Sequence, residues 1–193
     1  MGEQSERGGE SLMKKIIVKV HLGKSREAFE QKLSDIEFDF SPVYWQHDRV
    51  YVPRGYKRGE NYPRMIMRTE MKAVDRPPKY ELILKRHIED SGLDVVYSTP
   101  IRDYAEGVGI IQQLGFTMMS EVSRRRQEIK MAEGTVLYLD KLDGVNGFFA
   151  KIETEIRDKD SIERTREEVV STFKSLEETN FVEKSYGEIA KRS

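Results

Sequence analysis

Lysine and arginine recur at alternate positions along several apolar stretches of this chain, a spacing suited to holding phosphate. Lys15 and Lys19 share one parity in the run Lys14-Lys15-Ile16-Ile17-Val18-Lys19-Val20-His21-Leu22. Arg64 and Arg68 repeat the interval, Lys85 closes Tyr80 to Arg86, and Arg124 and Arg126 flank a third arginine. Lys151 lies at the same parity as Glu153 and Glu155. Residues at even spacing share one face of a strand. On one isolated strand such a face is most simply solvated surface, because exposed Lys and Arg are the norm. Five strands doing the same argue for convergence on a common interior. Unpaired like charges repel strongly there, and a polyphosphate is the natural guest. Arginine forks bind phosphate oxygens bidentately, and lysine supplies point charge.

The elements that must position these side chains are mostly strands. The other face of the first run, Ile16, Val18, Val20 and Leu22, is apolar and calls for a covering layer. Further strands are expected over Val43 to Val52, Arg64 to Met71, Tyr80 to Arg86, Leu93 to Ser98, Phe116 to Lys130, Thr135 to Leu142 and Phe148 to Ile156. Turns fall at Pro53 to Pro63, Pro77-Pro78, Ser91-Gly92, Met131 to Gly134 and Asp143 to Gly147. Three helices act as struts. Ser25 caps the first, through about Asp35, with Phe29, Leu33 and Ile36 inward. Asp103 and Glu106 form a capping-box pattern before a helix with Tyr104, Val108, Ile111 and Leu114 on one side, ended by Gly115. Asp160 or Ser161 opens the third, which buries Ile162, Val169, Phe173 and Leu176. A short helical segment near Tyr186 to Ala190 follows. The expected fold is α+β: a closed or nearly closed antiparallel β-barrel of about eight strands with flanking helices and a charged tunnel.

Composition agrees with a charged interior. The chain has 193 residues, 37% hydrophobic and 35% charged, with a net charge of -1. That balance does not announce a nucleic-acid surface. No cysteine is present, which excludes disulfides, thiolate metal sites and cysteine nucleophiles. No apolar run is long enough to suggest a membrane span, and the expected setting is cytoplasmic. Residues 1–12 are polar and Gly-rich and are expected to be a disordered tail, with one domain over 13–193. His21, His47 and His87 lack a metal-ligand spacing. His21 shares the parity of Lys19, which leaves a proton donor at the tunnel mouth open beside a purely structural role.

Taken in order, these segments resemble the CYTH superfamily, the triphosphate tunnel metalloenzymes, which include class IV adenylyl cyclases, thiamine triphosphatases and inorganic triphosphatases. The family's ExExK strand is similar to Lys15-Ile16-Ile17-Val18-Lys19, with the lysine kept and both glutamates gone. Gln46-His47-Asp48-Arg49-Val50-Tyr51 resembles its QxDxYF strand. Met65-Ile66-Met67-Arg68 resembles LRIR, with Arg64 a substitute for the missing first arginine. Leu82-Ile83-Leu84-Lys85 matches the strand ending in a tunnel lysine. The RxExE strand falls on Asp94, Val96 and Ser98, where little of the motif survives. Gln113-Leu114-Gly115-Phe116 resembles the LGF helix ending, and Val122-Ser123-Arg124-Arg125-Arg126 resembles VxKxR. The stretch Leu139 to Glu153 resembles LDxVxGLGxFxEIE, with one extra turn residue and Lys151 for the first glutamate. Lys184 to Ile189 resembles the terminal SYxELL. Together the pieces span Lys14 to Ala190.

The resemblance implies a tunnel in which Lys19, Arg64, Arg68, Lys85, Arg124 and Arg126 bind phosphate. It places a metal, Mg²⁺ or Mn²⁺, on Glu153, with Glu155 a second candidate. Asp48, Glu81, Asp94 and Asp140 are further carboxylates, of which strand parity puts only some inside. The implied function is metal-dependent hydrolysis of inorganic or nucleoside triphosphate. Two alternatives remain: cyclisation of ATP to cyclic AMP and pyrophosphate, and a polyphosphate- or nucleotide-binding module that lost its metal glutamates. The expected partner is a small-molecule triphosphate, with neither nucleic acid nor membrane. A homodimer is compatible with the sequence.

Overall fold

The computed structural model describes residues 11–22, 26–34, 40–57, 61–89, 92–157 and 161–190. Eight strands carry the fold: β1 Ser11–His21, β2 Tyr44–Pro53, β3 Arg64–Met71, β4 Lys79–Ile88, β5 Leu93–Ile101, β6 Phe116–Ala132, β7 Thr135–Leu142 and β8 Phe149–Glu155. Four helices accompany them: α1 Arg26–Ser34, α2 Tyr104–Gln113, α3 Ile162–Ser175 and α4 Tyr186–Ala190. All strand pairs are antiparallel, and the sheet closes in the order β1-β5-β4-β3-β2-β6-β7-β8. The expected tunnel barrel is therefore present and closed.

Its polarity is inverted relative to a barrel filled with apolar side chains. Ile16, Val18, Val20 and Leu22 point outward and are buried beneath α1 and α3, against Phe29, Leu33, Val169, Phe173 and Leu176. Ser161 starts α3 by accepting the Arg164 amide at 3.3 Å, as its position before the apolar stripe predicts. Phe173 is completely buried, and its truncation to alanine would cost about 3–5 kcal/mol. A second outer layer forms where α2 lies on Tyr51, Met65 and Met67. Asp103 caps α2 by accepting the Ala105 and Glu106 amides at 2.7 and 3.0 Å. Gly107 permits the close approach, because a Cβ there would meet Ile101 Cδ1 at 2.6 Å. With the apolar faces satisfied outside, the opposite parity is left to line a polar lumen.

Three expectations need correction. Ser11 and Leu12, expected in the tail, belong to β1 and pair with Ser98 and Tyr97. Residues 1–10 lie outside the described residues. Leu114 is 62% exposed rather than packed, because it caps α2 beyond the last turn that touches the sheet. Met131 and Ala132 remain in β6, and only Glu133 and Gly134 form the turn. The Ser25 cap, Asp35, Ile36, Ser91 and Asp160 fall outside the described residues.

β1 closes the barrel unevenly. Its first half, Ser11 to Lys15, pairs with β5, and its second half, Lys15 to His21, pairs with β8. Beyond Lys15 the strand has left β5. The chain near residues 180–182 lies along this freed edge, with the Val182 amide donating to the Lys19 carbonyl at 2.9 Å. Next to that edge the barrel opens. α4 closes the neighbouring part of the same end against Val122, Leu142 and Phe149. Gly187 fits there because a Cβ would meet Ser120 Oγ at 2.5 Å.

Candidate functional site

Inward-facing side chains divide the lumen into a paired side and an open side. On the paired side each cation has a carboxylate. Arg68 forks onto Asp48, with Nε 2.8 Å from Oδ1 and Nη2 3.1 Å from Oδ2. Arg124 donates from Nη2 to Asp48 Oδ2 at 2.6 Å and also to Gln46 Oε1. Arg126 grips Asp140 in the same two-bond manner, at 2.6 and 2.8 Å. Tyr186 of α4 adds its hydroxyl to Asp140 Oδ2 at 2.8 Å. These are charge-assisted bonds with fixed geometry. Burial alone would raise the Asp48 carboxyl, yet Arg124 and Arg68 hold it far below the usual carboxylate range. Asp140 is held down in the same way, chiefly by Arg126.

Lys15 and Lys151 bracket Glu153. Lys15 Nζ is 3.3 Å from Oε2, and Lys151 Nζ donates to Oε1 while lying 4.5 Å over the Tyr138 ring. Burial, then Arg126, pushes the Lys151 ammonium down to about 7 against the pull of Glu153. Glu153 is also buried, which would raise its carboxyl, but Lys151 and Lys15 carry it well below the ordinary value.

On the open side carboxylates line the mouth, among them Glu89, Asp94, Glu183 and Glu188, but among the described residues only Asp94 forms an ion pair with Lys19, Arg64 or Lys85. Arg64 and Lys85 sit directly opposite each other on β3 and β4, and both face the cavity that Lys19 of β1 enters. Like charges so placed destabilise one another. Lys85 reaches Asp94 at 3.1 Å, but Asp94 is shared with His87 Nδ1 at 3.2 Å. Lys19 donates to the Lys184 carbonyl at 2.5 Å and lies 5.4 Å over the Tyr186 ring. Among the described residues no carboxylate forms an ion pair with Lys19 or Arg64. Burial and then Lys85 drive the Lys19 amine down to about 8, with Arg64 adding to the effect and Asp94 and Glu188 opposing it.

A cavity of about 220 Å³ occupies the lumen and meets a larger one, about 640 Å³, at the mouth. Seven lysine or arginine side chains and three carboxylates line the lumen cavity, a formal excess of four positive charges. Ile17, Ile66 and Ile83 form an apolar band between them, which strengthens every charge interaction nearby. Buried Arg124 Nε finds no acceptor among the described residues, its nearest carboxylate oxygen standing 3.9 Å away.

The structure thus brings Lys19, Arg64 and Lys85 together at the mouth and sets Arg68 and Arg124 deeper on the same cavity. Arg126 faces inward but is 3% exposed, closed off by Asp140, and does not line the lumen cavity. Glu155 ends β8 opposite Lys15 and is exposed beside Gly134, at the end of the barrel away from the lumen cavity. His21 also stays out of both main cavities, packed edge-on against Phe149 at 5.0 Å and 3.3 Å from the Asn146 carbonyl. Sequence reasoning missed that Asp48 and Asp140 are arginine partners and that Tyr186 joins them. The parity of Asp140 was readable, since it shares a face of its strand with Val136, Tyr138 and Leu142.

These side chains do not fit a divalent cation. Mg²⁺ needs one or two available carboxylates alongside phosphate oxygens and water. Both Glu153 oxygens are held by ammonium groups, and Asp48 and Asp140 are held by arginines. Among the described residues no group of three His, Asp or Glu converges.

Fold and site together define an antiparallel tunnel barrel with a cationic lumen. No family profile matches this sequence, and no curated protein matches it. Solved structures do share the fold. PH1819 from Pyrococcus horikoshii OT3 superposes with a TM-score of 0.77 at 18% identity, over 93% of this chain and 99% of that one. A provisionally named adenylate cyclase from Vibrio parahaemolyticus gives 0.77 at 17% identity, over 94% and 99%. HpAC1 from Hippeastrum, a provisionally named adenylyl cyclase described as having a dominant triphosphatase activity, gives 0.59 at 16% identity, over 93% and 95%. Among the described residues no helix is long and apolar enough to cross a membrane.

Proposed function

We propose that this chain is a CYTH-type tunnel protein that binds a triphosphate, inorganic or carried by a nucleoside, inside its barrel. One observation carries the reading: Lys19, Arg64 and Lys85 all face the lumen cavity, where seven basic side chains meet only three carboxylates. Desolvated like charges held together are costly, and a polyanion turns that repulsion into attraction. The phosphate chain enters at these three residues. Its inner end meets Arg68 and Arg124, whose forks are already oriented by Asp48. The names carried by the Vibrio and Hippeastrum proteins support a nucleotide or triphosphate as ligand.

Hydrolysis at a metal on Glu153 is the weaker part of the reading, because that carboxylate is held by two lysines. Cyclisation of ATP is supported only by the names that the Vibrio and Hippeastrum proteins carry. Binding is the function that the geometry supports best.

The test is thermal unfolding with tripolyphosphate, ATP, and sulfate as a control, followed by product analysis. Stabilisation by tripolyphosphate and not by equimolar sulfate is expected. No stabilisation by either polyphosphate would remove the proposal. Orthophosphate among the products would add a triphosphatase activity, and pyrophosphate with a cyclic nucleotide would add a cyclase.

A further inference from the structure

We infer that the lumen carries its own counter-charge and takes polyphosphate in its metal-free form, so that Mg²⁺ competes with the protein for the ligand. This rests on the reading that a triphosphate enters the barrel.

Three features of the lumen lead there. Lys15 and Lys151 approach Glu153 from β1 and β8 and occupy both of its oxygens. A cation arriving at that carboxylate would have to displace an ammonium group and then sit beside two positive charges. Asp48 is likewise closed to metal by Arg68 and Arg124. The remaining lumen carboxylate, Glu81, is 3.5 Å from Arg68. Each acid in the cavity is therefore tied to a basic side chain of the protein.

The charge balance points the same way. Seven basic groups against three acids leave the cavity formally positive before any ligand enters. A metal-free polyphosphate neutralises that excess. A magnesium complex brings less negative charge and a hydrated cation into a space already rich in cations. The ammonium groups of Lys15 and Lys151 thus stand where an ion would otherwise bridge phosphate to carboxylate, with Glu153 as their anchor.

Isothermal titration calorimetry of the full chain with tripolyphosphate tests this in EDTA and in excess Mg²⁺. Binding in EDTA, weakened about tenfold or more by Mg²⁺, is expected. Binding that requires Mg²⁺, or is tightened by it, overturns the inference and leaves the triphosphate reading standing. Heat in neither buffer overturns both. A second arm uses the double variant Lys15→Glu and Lys151→Glu, which would gather three carboxylates at one point. Folding is checked by its circular dichroism. A folded variant that gains Mg²⁺-dependent binding agrees with the inference, and one that keeps wild-type affinity in EDTA contradicts it.

Discussion

The two sides of the lumen use the same residue types to opposite ends. Around Asp48 and Asp140, arginine and carboxylate meet in two-bond forks, part-buried at Arg68 and fully buried at Arg126. At the mouth, the ion pair from Lys85 to Asp94 is the only one that Lys19, Arg64 and Lys85 form among the described residues. The first arrangement is a framework: its charges are cancelled and oriented, sealed off at Arg126 and facing the lumen only at Arg68 and Arg124. The second is a receptor, whose excess charge persists until something negative arrives. Basic residues at strand parity therefore do not by themselves mark a binding surface. What matters is whether an acid stands opposite.

The largest effect that would sharpen this contrast comes from breaking the framework. Asp140→Ala leaves Arg126 buried without its carboxylate and Tyr186 without its acceptor. A loss of about 3–5 kcal/mol is expected in denaturant unfolding, as for other broken buried pairs. A loss below about 1 kcal/mol would mean that the fork is not structural.

Arg64→Ala should behave in the opposite manner. Stability should stay within about 0.5 kcal/mol, while tripolyphosphate affinity falls about tenfold through the lost charged contact. Equal damage to stability and binding would erase the distinction between the two sides.

A third effect is a divergence with pH. Lys19 titrates at about 8 when folded, against 10.5 for the free side chain. Between these values the unfolded chain binds more protons, so the Lys19 contribution to stability rises with pH. Ligand affinity must move the other way, because the phosphate needs the charged amine. Calorimetry at pH values of about 7 and about 9.5 should show affinity dropping several-fold. Affinity that holds or improves would show that Lys19 does not touch the ligand. On the paired side, the depressed Asp48 and Asp140 give stability that is present above the ordinary carboxylate range. It is lost only as pH falls through their lowered values, so acid unfolding should come late.

The smallest effect is expected at Glu155→Ala. This exposed carboxylate lies at the far end of the barrel, and its removal should leave both stability and binding unchanged within error.

Much of the barrel was legible because outward and inward faces differ so sharply in polarity. Ile16, Val18, Val20 and Leu22 demanded a covering layer, and α1 and α3 supply it. Strand limits at Arg64–Met71 and Thr135–Leu142 followed from their turns. Lumen membership of Lys19, Arg64, Arg68, Lys85 and Arg124 followed from parity. Pairing was less accessible. Parity places Arg126 inside but cannot tell that Asp140, directly opposite on β7, will absorb its charge. The same limit applied to Glu153, because the reach of two lysines toward one carboxylate depends on the β1–β8 register. Closure of the mouth by the segment near residues 180–188 is a long-range contact with no local signal.

Phosphorus NMR of tripolyphosphate, recorded with the wild-type chain and with Arg64→Ala in EDTA, tests the central claim most directly. Shifted or broadened phosphate signals with the wild type, largely restored to the free form with Arg64→Ala, are the predicted result. Sharp, unshifted signals in the presence of the folded wild-type chain would contradict the account, because the charge excess of the lumen would then hold no polyphosphate.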